Sequence, residues 1–204
     1  MAIMHSMKFF KIMMMMITLA LSINVSASLI DKGTYTSDTV SGLDWLDLTA
    51  TTGLSYNYVS SQLGSGGLFD GWSYAGVMRI ETLIQHAGGT SPFTGWTTIN
   101  NGVVSSLLNT WGQTQTFLES RIITGGVYTV NGNIFVSILS DDPNQSISTT
   151  SDFISLTETT IAPGGSNSVY GSALYRATSI VPIPAAVWLF GSGLIGLMGV
   201  ARRK

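Results

Sequence analysis

Val127-Tyr128-Thr129-Val130-Asn131-Gly132-Asn133-Ile134-Phe135-Val136-Ser137-Ile138-Leu139 is the stretch on which the reading of the fold turns. Two runs rich in β-branched and aromatic residues, 127–130 and 134–139, flank Asn131-Gly132-Asn133. Asn and Gly accept the positive φ that a tight hairpin turn demands, so the stretch predicts two antiparallel strands. Toward the C-terminus, 153–160 and 169–177 add two further strand candidates. Toward the N-terminus the apolar period changes from two to 3.6. In 103–111, Val104, Leu107, Leu108 and Trp111 share one helical face, and in 74–87 Val77, Ile80, Leu83, Ile84 and Ala87 do the same, with Gly88-Gly89 as the stop. A shorter helix is expected at 56–63, ended by Gly64-Ser65-Gly66-Gly67. Short strands are expected at 29–35 and 43–48, around turns at Ser37-Asp38 and Ser41-Gly42. Helices in the first half followed by strands in the second predict an α+β fold, a single mixed ectodomain over residues 28–179.

What lies outside that domain has a different composition. Only 10% of the 204 residues are charged, and two apolar blocks, 12–25 and 187–201, account for much of the positive mean hydropathy. Lys8 and Lys11 precede the first block, and Arg202, Arg203 and Lys204 end the chain. The middle keeps four basic residues (Lys32, Arg79, Arg121, Arg176) against all eleven acids, a net charge of −7. A nucleic-acid partner is excluded on that balance, because phosphate neutralisation needs a basic patch. The absence of cysteine removes disulfides, thiolate catalysis and Cys-based metal sites.

Residues 1–27 read as a secretory signal peptide with a signal helix: Lys8 and Lys11 form the n-region and 12–21 the apolar h-region. Val25-Ser26-Ala27 supplies the small residues that signal peptidase reads, so cleavage is expected between Ala27 and Ser28. Met1 and Met7 both remain open as the start, since Met7-Lys8-Phe9-Phe10-Lys11 alone makes a compact n-region.

At the other end, residues 180–201 are 22 in number and carry no charge, enough to cross a hydrocarbon layer of about 30 Å as a helix. The basic tail Arg202-Arg203-Lys204 follows at once and places this end in the cytoplasm. Just before the span, Pro182 and Pro184 in Val181-Pro182-Ile183-Pro184 hold the chain extended and withhold backbone donors. An open peptide is thereby presented at the outer membrane face.

The segment 181–204, with its proline motif, its Trp188-Leu189-Phe190-Gly191-Ser192-Gly193-Leu194 core and its basic end, resembles the PEP-CTERM sorting signal of Gram-negative bacteria over 24 residues. Ile183 stands where the variant most like it has Leu, and no Glu lies between the prolines. The resemblance implies that the chain is the substrate of an exosortase. Val181, Pro182, Ile183 and Pro184 would be its recognition segment and 185–201 a temporary inner-membrane helix. Delivery to the cell surface or extracellular matrix would follow. Residues 33–48, Gly33-Thr34-Tyr35-Thr36-Ser37-Asp38-Thr39-Val40-Ser41-Gly42-Leu43-Asp44-Trp45-Leu46-Asp47-Leu48, with Gly71-Trp72-Ser73-Tyr74-Ala75, are similar to ectodomains found on such proteins. More distantly they are similar to uncharacterised bacterial domains of C-type-lectin-like fold. Those carry Thr-Gly-Leu-x-Trp and a later Trp-Arg-Leu-Pro; here Ser41 replaces the Thr and the second motif is missing.

Several motifs compete for a chemical role. Gly191-Ser192-Gly193-Leu194-Ile195-Gly196 satisfies a dinucleotide fingerprint, but no βαβ unit surrounds it and the chain as given ends eight residues later. Its glycines suit close helix approach in a membrane. Gly71-Trp72-Ser73-Tyr74-Ala75 approximates a nucleophile elbow, and Ser73, Glu81 and His86 follow in hydrolase order. Ser73 is instead expected at a helix N-cap, with His86 about 19 Å further along the axis. No catalytic residue is therefore expected. His86 is the one histidine after residue 27, too few for a zinc site, and Asp141-Asp142-Pro143-Asn144 departs from a calcium loop at Ile147 and Phe153. No cofactor is expected. Trp45, Trp72, Trp96 and Trp111 suit a core or the stacking of sugar rings. The leading expectation is a non-enzymatic surface or matrix protein, with a carbohydrate-binding module on exopolysaccharide as the alternative.

Overall fold

The computed structural model describes residues 29–117, 121–141, 152–166 and 168–179, which form a mixed α+β unit built mostly of sheet. The Asn-Gly hairpin lies at the centre of its larger sheet. β7 (Arg121–Val130) and β8 (Asn133–Asp141) pair in antiparallel register from Ile122↔Asp141 to Val130↔Asn133. The two turn residues Asn131 and Gly132 have φ of 50° and 79°, the pair of positive values a type I′ turn requires. β9 (Asp152–Thr160) pairs with the other edge of β8, and β5 (Thr94–Thr97) covers β9. The free edge of β7 carries β6 (Gln115–Phe117) antiparallel and, further along, β10 (Tyr170–Ser172) parallel.

A second, wholly antiparallel sheet has the order β1-β2-β3-β11-β4. Its strands are β1 (Leu29–Asp31), β2 (Tyr35–Asp38), β3 (Leu43–Leu46), β4 (Ser73–Tyr74) and β11 (Leu174–Ala177). The last of the described strands is thus inserted between two of the early ones. β10 and β11 are separated by the single buried residue Ala173, where the chain steps from one sheet into the other. Its N–H donates to Val127 and its C=O accepts from Ala75, and Thr129 N–H donates to Ala75, so the crossing leaves no backbone group orphaned. Gly171 is required beside it: a Cβ there would stand 2.0 Å from the Leu48 carbonyl oxygen.

Three helices complete the unit: α1 (Tyr56–Ser61), α2 (Val77–His86) and α3 (Val103–Trp111). The apolar faces read from the sequence are the buried ones: Ile80, Leu83 and Ile84 on α2, and Val104, Leu107, Leu108 and Trp111 on α3. They join Trp45, Leu48, Tyr128, Leu139 and Ile154 in the main core. Trp111 donates its indole N–H to the Leu46 carbonyl at 3.1 Å, and its ring meets that of Trp45 edge to face at 5.7 Å. The Gly88-Gly89 stop closes α2 as a Schellman motif, with Gly89 N–H on Ile84 O and Gly88 N–H on Gln85 O.

Several boundaries differ from the sequence reading. The expected strand 29–35 is broken at Gly33 (φ 86°), where Lys32 N–H reaches Tyr35 O, so the first turn lies there and not at Ser37-Asp38. Ser37 and Asp38 are buried in β2, and the following turn runs through Thr39–Gly42 as Ser41-Gly42 suggested. The expected strand 43–48 stops at Leu46 and gives way to a 3-10 turn, Leu48–Thr51. α2 begins three residues later than read, because Ser73-Tyr74 is drawn into pairing with β11. The run 169–177 is two strands in different sheets. β5 and β6 carry no alternating apolar signal and were not foreseen; their partners β9 and β7 extend them. No helix among the described residues is long and apolar enough to cross a membrane; the segments expected to form the signal helix and the 185–201 helix lie outside the described residues.

Candidate functional site

Among the described residues, a concentration of interacting polar groups lies where α2 packs near β2 and β3. Asp38, the last residue of β2, is 1% exposed and holds the next turn together: its Oδ1 accepts Val40 N–H at 3.0 Å and Ser41 N–H at 3.2 Å. Its Oδ2 accepts the Ser41 hydroxyl at 2.6 Å and faces His86 Nδ1 at 2.7 Å. Burial alone would push the Asp38 carboxyl up. The hydrogen bonds from the Ser41 side chain, His86, and the Ser41 and Val40 amides outweigh it and hold the carboxyl below its ordinary 3.8. With Asp38 ionised, Nδ1–H of His86 is the donor. His86 is the last residue of α2.

Beside this pair opens a hollow of about 130 Å³ lined by Asp38, Ser41, Leu43, Trp45, Arg79 and Thr82. Arg79, exposed on α2, lays its guanidinium over the Tyr175 ring at 4.2 Å, and Tyr175 in turn pairs with Trp45 across β11 and β3. Trp45 is 1% exposed and its indole Nε1–H has no hydrogen-bond partner among the described residues. Thr82 donates its hydroxyl to Met78 O at 2.8 Å and Ser41 donates to Asp38, so both keep accepting lone pairs.

A second cluster lies on the same sheet. Buried Asp44 accepts from Ser37 Oγ (2.6 Å), Thr178 Oγ1 (3.1 Å) and Arg176 Nε (3.3 Å). The Arg176 guanidinium stands 4.4 Å from the Trp72 ring centre and 5.1 Å from that of Tyr35. A third is structural: Asp152 Oδ2 accepts Gly102 N–H (2.9 Å) and Val104 N–H (3.2 Å), capping α3 from a distant strand because Gly102 has no side chain to do so. Burial and the neighbouring Asp141 charge push the Asp152 carboxyl up to about 6, against the pull of those two amides.

The sequence candidates are distributed as follows. Ser73 is not the helix N-cap; that position is Gly76, and Ser73 stands exposed in β4 opposite Tyr175. His86 turns Nδ1 to Asp38, 48 residues away in sequence, and no hydrogen bond joins it to Ser73 or Glu81 among the described residues. The Asp38–His86 pairing was missed because Asp38 reads as a turn residue. Of the four tryptophans, Trp45 and Trp111 are core, Trp72 is largely buried under Arg176, and Trp96 is half-buried against Phe153. Asp142 and Asn144 of the calcium-like run lie outside the described residues, among which no group of three or more His, Cys, Asp or Glu side chains gathers. Ala27 and Ser28, Val181 to Pro184 (Val181, Pro182, Ile183, Pro184) and the tail Arg202, Arg203 and Lys204 also lie outside them. Compared with protein-family models, with curated proteins and with solved structures, the chain matches none.

Proposed function

We propose that the chain is exported, loses residues 1–27 to signal peptidase, and is held in the inner membrane by its C-terminal helix until an exosortase acts at Val181-Pro182-Ile183-Pro184. The product is a non-enzymatic protein of the cell surface or extracellular matrix. The observation that carries this reading is the order of proline motif, 22-residue uncharged run and basic end in residues 180–204. Among the described residues, β1 starts at Leu29 and the hydrogen bond from Thr178 N–H to Gly42 O falls before the proline motif. Cleavage at either site therefore removes no described strand or helix.

The alternative, a carbohydrate-binding module on exopolysaccharide with a C-type-lectin-like fold, rests on the resemblance of residues 33–48 and 71–75. The hollow beside Asp38 is the observation that favours keeping it, since three of the four tryptophans have their surfaces occupied. Mass spectrometry of the protein recovered from the extracellular fraction tests the delivery. Its first residue is expected to be Ser28, and residues 188–204 are expected to be missing. An intact C-terminus in that fraction would refute processing.

A further inference from the structure

We infer that the end of the folded unit bearing the β2–β3 turn is a lipid-contacting surface, with Val40 held at the head-group layer for as long as the C-terminal helix anchors the chain. This rests on the reading of 185–201 as a membrane span; which end of the unit meets the lipid comes from the fold.

The described chain enters and leaves the small sheet at the same end. Leu29 of β1 pairs with Asp38 of β2, Asp38 with Leu43 of β3, and Leu43 with Ala177 of β11, one row across four strands. At about 4.8 Å per strand, entry and exit lie about 14 Å apart. The turn Thr39–Gly42 stands beyond that row, and Thr178 N–H is bonded to it at Gly42 O. α2 runs along the same axis. Gly76, just before it, bridges Thr129 beside Ala75 and Ala173 at the opposite end of the sheet, whereas His86, its last residue, reaches Asp38.

The tether fixes which end faces the membrane. Residues 179–185 join Thr178 to the expected start of the span, and these seven residues reach about 24 Å when fully extended. The head-group layer takes up about 5–8 Å of that length. A compact unit of about 150 residues is about 38 Å across, so the end carrying Thr178 cannot be turned away from the lipid. The chemistry of that end suits the contact. Val40, in the turn, is 47% exposed, and Thr39-Val40-Ser41-Gly42 and Ala177-Thr178-Ser179 carry no charge. Asp38 behind them is enclosed by the Val40 and Ser41 amides, the Ser41 hydroxyl and His86. The domain as a whole sets eleven acids against four basic residues, so an uncharged end is the one that approaches anionic lipid without like-charge repulsion.

The sequence has no cysteine, so a single introduced one takes a label uniquely. Full-length Val40→Cys, Met78→Cys and Leu194→Cys, each carrying an NBD fluorophore, are reconstituted into vesicles of phosphatidylcholine and phosphatidylglycerol. Leu194 tests the span itself, and its label is expected to lose most of its emission to a nitroxide placed in the acyl chains. With the nitroxide on the head group, the label at position 40 is expected to lose most of its emission and the label at 78 little. Met78 is the demanding comparison: at 77% exposure it is the larger free apolar surface, yet it lies about 12 Å from His86 along α2. An unquenched label at 194 would overturn the span and this surface with it. A quenched label at 194, with position 40 quenched no more than position 78, would overturn the surface alone and leave the delivery proposal standing.

Discussion

Asp38 carries more of the local structure than any turn residue is usually asked to, and its protonation sets a pH limit on the fold. Its folded-state carboxyl titrates below 3.8, so the unfolded chain binds the proton more readily. The stability it contributes is full above the unfolded value and is lost as pH falls through the depressed folded one. Asp38→Ala removes the acceptor for two amides, a hydroxyl and His86, and is expected to cost about 2 kcal/mol or more at pH 7, measured by urea midpoint. The same variant should lose less as pH falls below the unfolded value toward the depressed folded one, where the parent carboxyl gives up its charge. Asp47 and Asp152 act in the opposite direction. Burial and the Asp31 charge push Asp47 up to about 6, and burial and Asp141 do the same for Asp152. Both protons are therefore held more tightly in the folded state, and the stability these groups contribute falls as pH rises from about 4 to about 6.

Among the elements, α3 shows how far a local rule can be satisfied from a distance. Its apolar face is legible in the sequence over all nine residues, Val103–Trp111. Its cap is not, because the acceptor sits on β9, about fifty residues on (|i−j| of 50 and 48). Asp152→Ala is expected to destabilise the fold by about 1–2 kcal/mol at pH 7 through the two unsatisfied amides, read from thermal or urea unfolding. Asp152→Asn keeps an accepting oxygen while removing the charge beside Asp141. It should therefore unfold with a weaker loss of stability between pH 4 and pH 6 than the parent. Identical pH dependence in the two proteins would show that Asp152 does not titrate in that window.

For the molecule as a whole, the late strands hold the early ones. β11 is hydrogen-bonded on both edges, to β3 through Leu43, Asp44 and Trp45 and to β4 through Ser73 and Tyr74. Ending the chain after Ser172 would strip the middle strand from the small sheet, and cooperative thermal unfolding is expected to disappear. Ending it after Ser179 removes only the tail and should leave the unfolding temperature of the folded unit unchanged. A lower temperature for the longer truncation product would mean that the tail contributes to the fold, contrary to the release proposed. What the sequence by itself determined is whatever depends on near neighbours: the Asn131-Gly132 hairpin, the apolar faces of α2 and α3, the glycine stop of α2, and the segregation of charge and hydropathy at the two ends. These follow from backbone sterics, helical period and hydropathy, all local in the chain. Only the tertiary structure decided that Asp38 faces His86, that Asp152 caps α3, that 169–177 divides between two sheets, and that Trp45 borders a hollow with its N–H unmet. Each of those depends on which distant segment supplies the missing hydrogen-bond partner, and no local pattern encodes that choice.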